Sequence, residues 1–229
     1  MFYYWDSTYI LVIIAMLLSL WASFGVKSTF AKYQEVKTAR EITGAEAARR
    51  VLDMNGLQNI RVERVSGELT DHFDPKHNVI RLSDSTYNDT SVAAVGVAAH
   101  EAGHAVQHAT GYAPIRIRNS IVPVVNIGTQ LAMPLFFIGL LINVLGLVYL
   151  GIFLFSFALA FQLITLPVEL NASSRAIKIL DSSMLLYEDE IKPAKKVLKA
   201  AAMTYVAAVA SSALQLLRLL LIANRRRDD

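Results

Sequence analysis

Four long apolar runs constrain the fold of this chain more than any other feature. They extend over residues 9–26, 121–142, 144–166 and 200–221. Each run is close to the roughly 20 residues that a helix needs to cross a bilayer. The second and third are almost free of charge and are separated only around Asn143, so they predict a tight transmembrane hairpin. Since 54% of all residues are hydrophobic, lipid is expected to be the solvent for part of the chain.

The polar sequence between these runs has the signals of a small mixed structure. Thr43 and Glu46 form a capping box at the start of a helix. Two β-like runs follow at residues 60–65 and 78–82, with a turn at Asp74-Pro75-Lys76 between them. A second polar segment begins at Pro167, which fits the first turn of a new helix.

The motif His100-Glu101-Ala102-Gly103-His104 carries the clearest chemistry in the sequence. Residues four apart lie on one face of a helix, so the two imidazoles can bind one zinc ion. Glu101 follows the first histidine and is placed to act as the general base toward a metal-activated water. The chain has no cysteine, which excludes thiolate ligands and leaves His, Asp and Glu for the metal.

Glu169 is the best candidate for the third metal ligand. It directly follows the third apolar run, and a transmembrane hairpin would return it to the side of the membrane that carries the histidine motif. His108 is an alternative partner for His104, but it lies two helical turns from His100. The charged run at residues 188–190 is expected to be solvated surface.

Two weaker expectations concern the surroundings of the metal. Residues that follow Glu169 can orient its histidine ligands by hydrogen bonds, namely Asn171, Ser173 and Arg175. The second β-like run is interpreted as an edge strand above the zinc, where a substrate peptide would add as a further strand. The residues of this run expected to bind the substrate are Asn78, Val79, Ile80 and Arg81.

Three stretches, residues 69–75, 98–108 and 166–173, closely resemble the neutral zinc metallopeptidases of bacterial membranes, the YugP-like family. The resemblance covers nearly the whole chain and implies a multi-pass membrane protein with zinc-dependent peptidase chemistry. A more distant likeness is to integral-membrane gluzincins, which usually carry an aspartate four residues after the ligand glutamate. Here that position is Ser173. The expected fold is therefore an α-helical multi-pass membrane protein with a small α+β zincin-like catalytic part, in which a short β-sheet accompanies the HExxH helix.

The distribution of basic residues predicts that the catalytic side is cytoplasmic, since positive residues accumulate on that side of a membrane. Lysines and arginines flank the polar segments at positions 27, 32, 37, 40, 116, 118, 192, 195, 196 and 199, while the N-terminus and the hairpin tip carry none. The tail Arg225-Arg226-Arg227 argues the other way if the fourth run spans. The aromatic residues 1–5 lack a basic neighbour and favour an uncleaved anchor over a cleaved signal peptide.

The sequence thus predicts five parts along the chain. These are a first transmembrane helix (1–26), a catalytic segment with the histidine motif (27–119), a transmembrane hairpin (120–166), a segment carrying the third ligand (167–199), and a fourth transmembrane helix with a basic tail (200–229).

The predicted function is a zinc endopeptidase of the bacterial plasma membrane. It would hold one Zn²⁺ per chain and act on peptides or membrane proteins. The alternative is a non-catalytic zinc-binding membrane scaffold or assembly partner, for which a general base has no use. A small transporter is a weaker alternative, because the second and third runs contain no ionisable residue. Nucleic acid is not expected as a partner, since the net charge is only +3 and no basic stripe is present.

Overall fold

The computed structural model describes residues 6–228, so the aromatic segment interpreted as part of an anchor, residues 1–5, lies outside the described residues. The described chain is mostly helical. Its elements in order are α1 (Tyr9–Gln34), α2 (Gly44–Met54), β1 (Arg61–Val65), β2 (His72–Asp74), β3 (Val79–Ser83), α3 (Asp84–Tyr87), α4 (Val92–Ala109), α5 (Ala113–Leu141), α6 (Leu145–Ser182) and α7 (Glu188–Asp228).

Four helices, α1, α5, α6 and α7, are long and apolar enough to cross a membrane. This confirms the predicted class, a mostly helical protein with four candidate membrane spans and a small sheet. The helices extend beyond the apolar runs, and Pro167 lies inside α6 rather than at the start of a new helix. A proline removes one backbone donor, and long helices in membrane proteins tolerate that loss. The third apolar run and Glu169 are therefore on one helix.

The chain forms two compact units. Among the described residues, the first consists of residues 6–22, 117–166 and 204–228. Its buried core contains side chains from α5, α6 and α7, namely Phe136, Val148, Ile152, Leu219 and Ala223. Many other large apolar side chains of this unit are exposed, such as Leu141 at 85%, as expected where lipid covers the surface.

Polar contacts within the first unit define how α7 ends. Arg225 donates to Asp6 Oδ1 at 3.1 Å, and Arg226 donates to Asn143 Oδ1 at 3.1 Å in the turn between α5 and α6. Arg218 lies 3.8 Å from the carboxylate of Asp6 and packs over the ring of Tyr9. The fourth apolar run is thus a continuous helix whose last turns lie beside the beginning of α1 and the hairpin turn.

The second unit, Ser23–Arg116 with Pro167–Met203, contains a three-stranded sheet of order β1-β3-β2. Strand β3 pairs in parallel with β1 and antiparallel with β2. The prediction that residues 78–81 form an edge strand is therefore wrong. Val79, Ile80 and Arg81 belong to the central strand, and Asn78 precedes it with a positive φ of 50°. Strand β2 covers the expected free edge, and its three residues are too few to show a strand pattern in the sequence.

Local sequence signals explain the ends of the helices in this unit. The Thr43 hydroxyl accepts from the Glu46 amide, and the Glu46 carboxylate accepts from the Thr43 amide, which is the predicted capping box. Helix α4 begins at an N-cap, where Ser91 Oγ accepts from the Ala94 amide. It ends where Gly111 takes a positive φ of 64° and Tyr112 donates back to the Gln107 carbonyl, the Schellman arrangement that glycine favours.

Candidate metal centre

Helices α4 and α6 bring together the three predicted metal ligands. The ligand atoms of His100, His104 and Glu169 all lie within 4.8 Å of one another. Glu169 Oε2 is 3.2 Å from His100 Nε2 and 3.3 Å from His104 Nε2. The two imidazole rings are 4.7 Å apart and nearly perpendicular. One helical turn of α4 and one residue of α6 thus converge on a common point.

Hydrogen bonds to the Nδ1 atoms fix the orientation of the two imidazoles. Ser173 Oγ lies 3.0 Å from His100 Nδ1. His104 Nδ1 donates to Gln107 Oε1 at 3.0 Å. Gln107 Nε2 in turn donates to the Val168 carbonyl at 2.8 Å, and this bond identifies Oε1 as the acceptor. Both rings therefore present Nε2 to the cluster.

The predicted residues Asn171 and Arg175 lie one step further from the cluster than Ser173 does. Asn171 Oδ1 accepts from Gln107 Nε2 at 3.0 Å and from Arg175 Nε at 2.8 Å. Arg175 also packs over the ring of Tyr112. These two residues thus support Gln107, and Gln107 holds His104.

Sequence reasoning missed Gln107, although one signal was available. Position 107 is three residues after His104, so both side chains lie on the same face of α4. His108, considered as an alternative ligand, is exposed and packs its ring against Phe73 at 6.0 Å. It is not part of the ligand cluster among the described residues.

The electrostatics of the cluster favour a bound cation. Burial disfavours the charged form of His104, but the hydrogen bond to Glu169 and the charges of Glu101 and Glu169 outweigh it and raise the pKa of His104. A neutral His104 that is protonated at Nδ1 directs the lone pair of Nε2 at the Glu169 carboxylate. That arrangement is repulsive unless a cation or a proton lies between them.

Glu101 is a second buried carboxylate near the cluster, and its charge acts on His104. Its side chain is buried, with 8% of the residue exposed, and among the described residues it makes neither a hydrogen bond nor an ion pair. A buried carboxylate without a partner is costly. Such groups are found mainly at functional sites.

The donor set fits zinc. Two imidazole nitrogens and one carboxylate oxygen are the protein ligands of a catalytic zinc site, and such a site leaves a fourth position open. The hydrogen bonds to Ser173 and Gln107 are the supporting contacts that histidine ligands usually make through their other ring nitrogen. His100, His104 and Glu169 would hold the ion.

Four helices that could span a membrane and a His-His-Glu cluster that could hold a metal ion together fit a helical membrane protein. The chain belongs to the family described as "Putative neutral zinc metallopeptidase", which matches residues 8–224. It is 50% identical over 219 residues to "Putative membrane protease YugP" of Bacillus subtilis (strain 168), covering 96% of this chain and 97% of that relative. No solved structure matches the chain. These comparisons confirm the resemblance inferred from the sequence.

Proposed function

We propose that this protein is a zinc-dependent endopeptidase with a zincin-like active site and one zinc ion per chain. The observation that carries the proposal is the convergence of three ligand atoms within 4.8 Å beside the buried, unpaired carboxylate of Glu101. The name of the family and that of the Bacillus relative support peptidase chemistry. A scaffold that only binds zinc would gain stability by losing this carboxylate, so the position of Glu101 favours the enzyme.

The proposed mechanism assigns one role to each residue. A zinc ion held by His100, His104 and Glu169 would polarise the scissile carbonyl and make water more acidic. Glu101 takes the proton from the attacking water and delivers it to the nitrogen of the leaving amine. Ser173 and Gln107 keep the two imidazoles in one tautomer and one orientation.

We propose that the substrates are peptides or segments of membrane proteins and that the protein resides in the bacterial plasma membrane. The active site would lie on the cytoplasmic side, because the polar segments that carry it contain most of the lysines and arginines. Arg225 and Arg226 would then lie on the opposite side, where the Asp6 carboxylate neutralises the charge of Arg225.

The test of the proposed function compares purified wild-type protein with Glu101→Gln and Glu169→Ala in zinc content and in cleavage of a peptide library. We expect about one zinc per wild-type chain and cleavage that a chelator abolishes. Glu101→Gln should retain zinc and lose roughly a hundredfold or more in rate. Glu169→Ala should lose the metal because a ligand is removed.

Glu188→Gln is the matched control, since Glu188 is an exposed residue in the first turn of α7. It should keep both zinc and activity. Cleavage by Glu101→Gln at the wild-type rate would contradict the mechanism. Zinc bound at full occupancy without any cleavage by the wild type would favour the scaffold alternative.

The proposed topology has a separate test, because the chain contains no cysteine. A single cysteine at Glu68, an exposed residue of the catalytic segment, or at Asn143 in the hairpin turn provides a unique label site. In intact cells, a membrane-impermeant thiol reagent should label Asn143→Cys and leave Glu68→Cys unlabelled until the cells are opened. The reverse pattern would place the active site outside.

A further inference from the structure

A cavity of about 280 Å³ lies between α6 and α7 in the second unit. Its apolar lining comes from Leu170 and Ile177 of α6 and from Leu198 and Ala202 of α7. Both helices are candidate membrane spans. The cavity therefore lies between two helices whose apolar surfaces could contact lipid. Its apolar side chains are suited to contact an acyl chain.

The remaining lining of the cavity is cationic and rich in hydroxyl groups. Lys195 and Lys199 are one turn apart on α7, and Ser173 and Ser174 face them from α6. Neither lysine makes a hydrogen bond or an ion pair among the described residues. No carboxylate lines the cavity. Two uncompensated ammonium groups beside two hydroxyls form a site complementary to a phosphate.

We propose that this cavity binds the headgroup phosphate of an anionic phospholipid, with Lys195 and Lys199 as its cationic ligands. A lipid is favoured over a soluble anion, since the lysines stand directly before the apolar run at residues 200–221. That position is where a membrane helix meets the headgroup layer. The apolar lining accommodates the first carbons of the lipid, for which a free phosphate has no use.

The site adjoins the metal centre through a shared residue. Ser173 lines the cavity and also contacts His100 Nδ1 at 3.0 Å. Binding of the lipid, however, does not depend on peptidase activity. The proposal therefore stands or falls separately from the proposed function.

The test measures retention of lipid by the full-length protein in detergent, using native mass spectrometry with dioleoylphosphatidylglycerol or dioleoylphosphatidylcholine. We expect wild type to retain one phosphatidylglycerol at concentrations where phosphatidylcholine is lost. The double variant Lys195→Gln/Lys199→Gln should bind phosphatidylglycerol about thirtyfold more weakly, since one lysine near an anionic lipid contributes about fivefold. The double variant Lys195→Arg/Lys199→Arg should restore retention.

Lys192→Gln/Lys196→Gln is the matched control. It removes the same charge from exposed positions of the same helix that do not line the cavity. This control should retain the lipid like wild type, and all variants should unfold at similar temperatures because the four lysines are exposed.

Equal loss of lipid in both glutamine variants would reduce the effect to general surface charge and overturn the proposal. Displacement of phosphatidylglycerol by inorganic phosphate at equal concentration would also overturn it, because the site would then bind the anion alone. Displacement by a short peptide ending in leucine would instead assign the cavity to a peptide carboxylate.

Discussion

Gly103, inside the histidine motif, lies directly against the backbone of Ala172 on α6. A Cβ atom at position 103 would be 2.7 Å from the Ala172 carbonyl oxygen. Real Cβ atoms essentially never approach another atom that closely. The absence of a side chain at Gly103 therefore allows α4 and α6 to approach closely enough for Glu169 to reach both histidines.

We predict that Gly103→Ala separates α4 from α6 and weakens metal binding. The added methyl group meets backbone rather than a flexible side chain, so the helices themselves must move. Overpacking of this kind costs about 1–3 kcal/mol of stability. A competition titration against a chromophoric chelator should show a clear loss of zinc affinity, and thermal unfolding of the metal-free protein should occur at a lower temperature.

Gly96→Ala is the control for this prediction. Gly96 is buried on the same helix, but a Cβ there would lie 3.7 Å from the Ala194 Cβ, an ordinary contact. Alanine is also the better helix former, by about 1 kcal/mol. This variant should keep its zinc affinity and be at least as stable as wild type. A similar loss of zinc affinity in both variants would mean that α4 tolerates alanine at neither glycine, and that Gly103 has no special role.

Gln107 is predicted to hold His104 in its metal-binding orientation. Gln107→Ala leaves His104 Nδ1 without its acceptor, and the loss of such a supporting contact typically weakens metal affinity by about 10- to 100-fold. Gln107→Glu keeps an acceptor for His104 but loses the donor to the Val168 carbonyl, so we expect an intermediate affinity. His108→Ala, at the next position of the helix, should bind zinc like wild type. Unchanged affinity in Gln107→Ala would show that packing alone orients His104.

Close packing between α5 and α6 in the first unit is predicted to depend on Gly151. A Cβ at that position would lie 2.7 Å from both the Ala132 carbonyl oxygen and the Phe136 amide nitrogen. Small residues allow membrane helices to approach in this way. Gly151→Ala should therefore lower the thermal stability of the detergent-solubilised protein. Gly146→Ala, on the same helix with no atom within 4 Å of the new Cβ, should leave stability unchanged, and equal destabilisation would refute the packing role.

Asp89 is predicted to make the stability of the protein vary with pH in the acid range. Burial would raise the pKa of this carboxyl, but the bonds from Lys37, the Ser91 amide and Gln34 outweigh it and lower the pKa below its ordinary value of 3.8. A lowered folded-state pKa stabilises the fold above the unfolded-state pKa, and the effect is lost as pH falls through the folded-state value. Asp89→Asn should therefore cost about 1 kcal/mol at neutral pH.

Asp89→Asn should also unfold at a lower temperature than wild type at neutral pH. This difference in unfolding temperature should shrink as the pH falls below the ordinary pKa of aspartate, since wild-type Asp89 then also loses its charge. Thermal unfolding of both proteins across this pH range measures the effect. A destabilisation that is constant with pH would assign it to lost hydrogen-bond geometry and not to charge.

Patterns of short range in the sequence were sufficient for much of this fold. The lengths of the apolar runs predicted the four candidate spans, and the capping box at Thr43 predicted the start of α2. The four-residue spacing of His100 and His104 placed both imidazoles on one face of a helix. Such features depend on the period of the helix and on backbone hydrogen bonds within a few residues, so they can be predicted from the amino-acid sequence alone.

Tertiary structure decided everything that depends on a distant partner. Strand β3 is central because the short strand β2 pairs with it, and Gln107 matters because α6 brings the Val168 carbonyl to it. Glu190, expected at the solvated surface, is buried and accepts from the amides of Ala39 and Tyr187. The candidate metal centre depends on both the local sequence and the tertiary structure. The sequence alone determined which residues have the chemistry to bind zinc, and the close approach at Gly103 decided that they meet, because contacts between segments depend on packing in three dimensions and not on local periodicity.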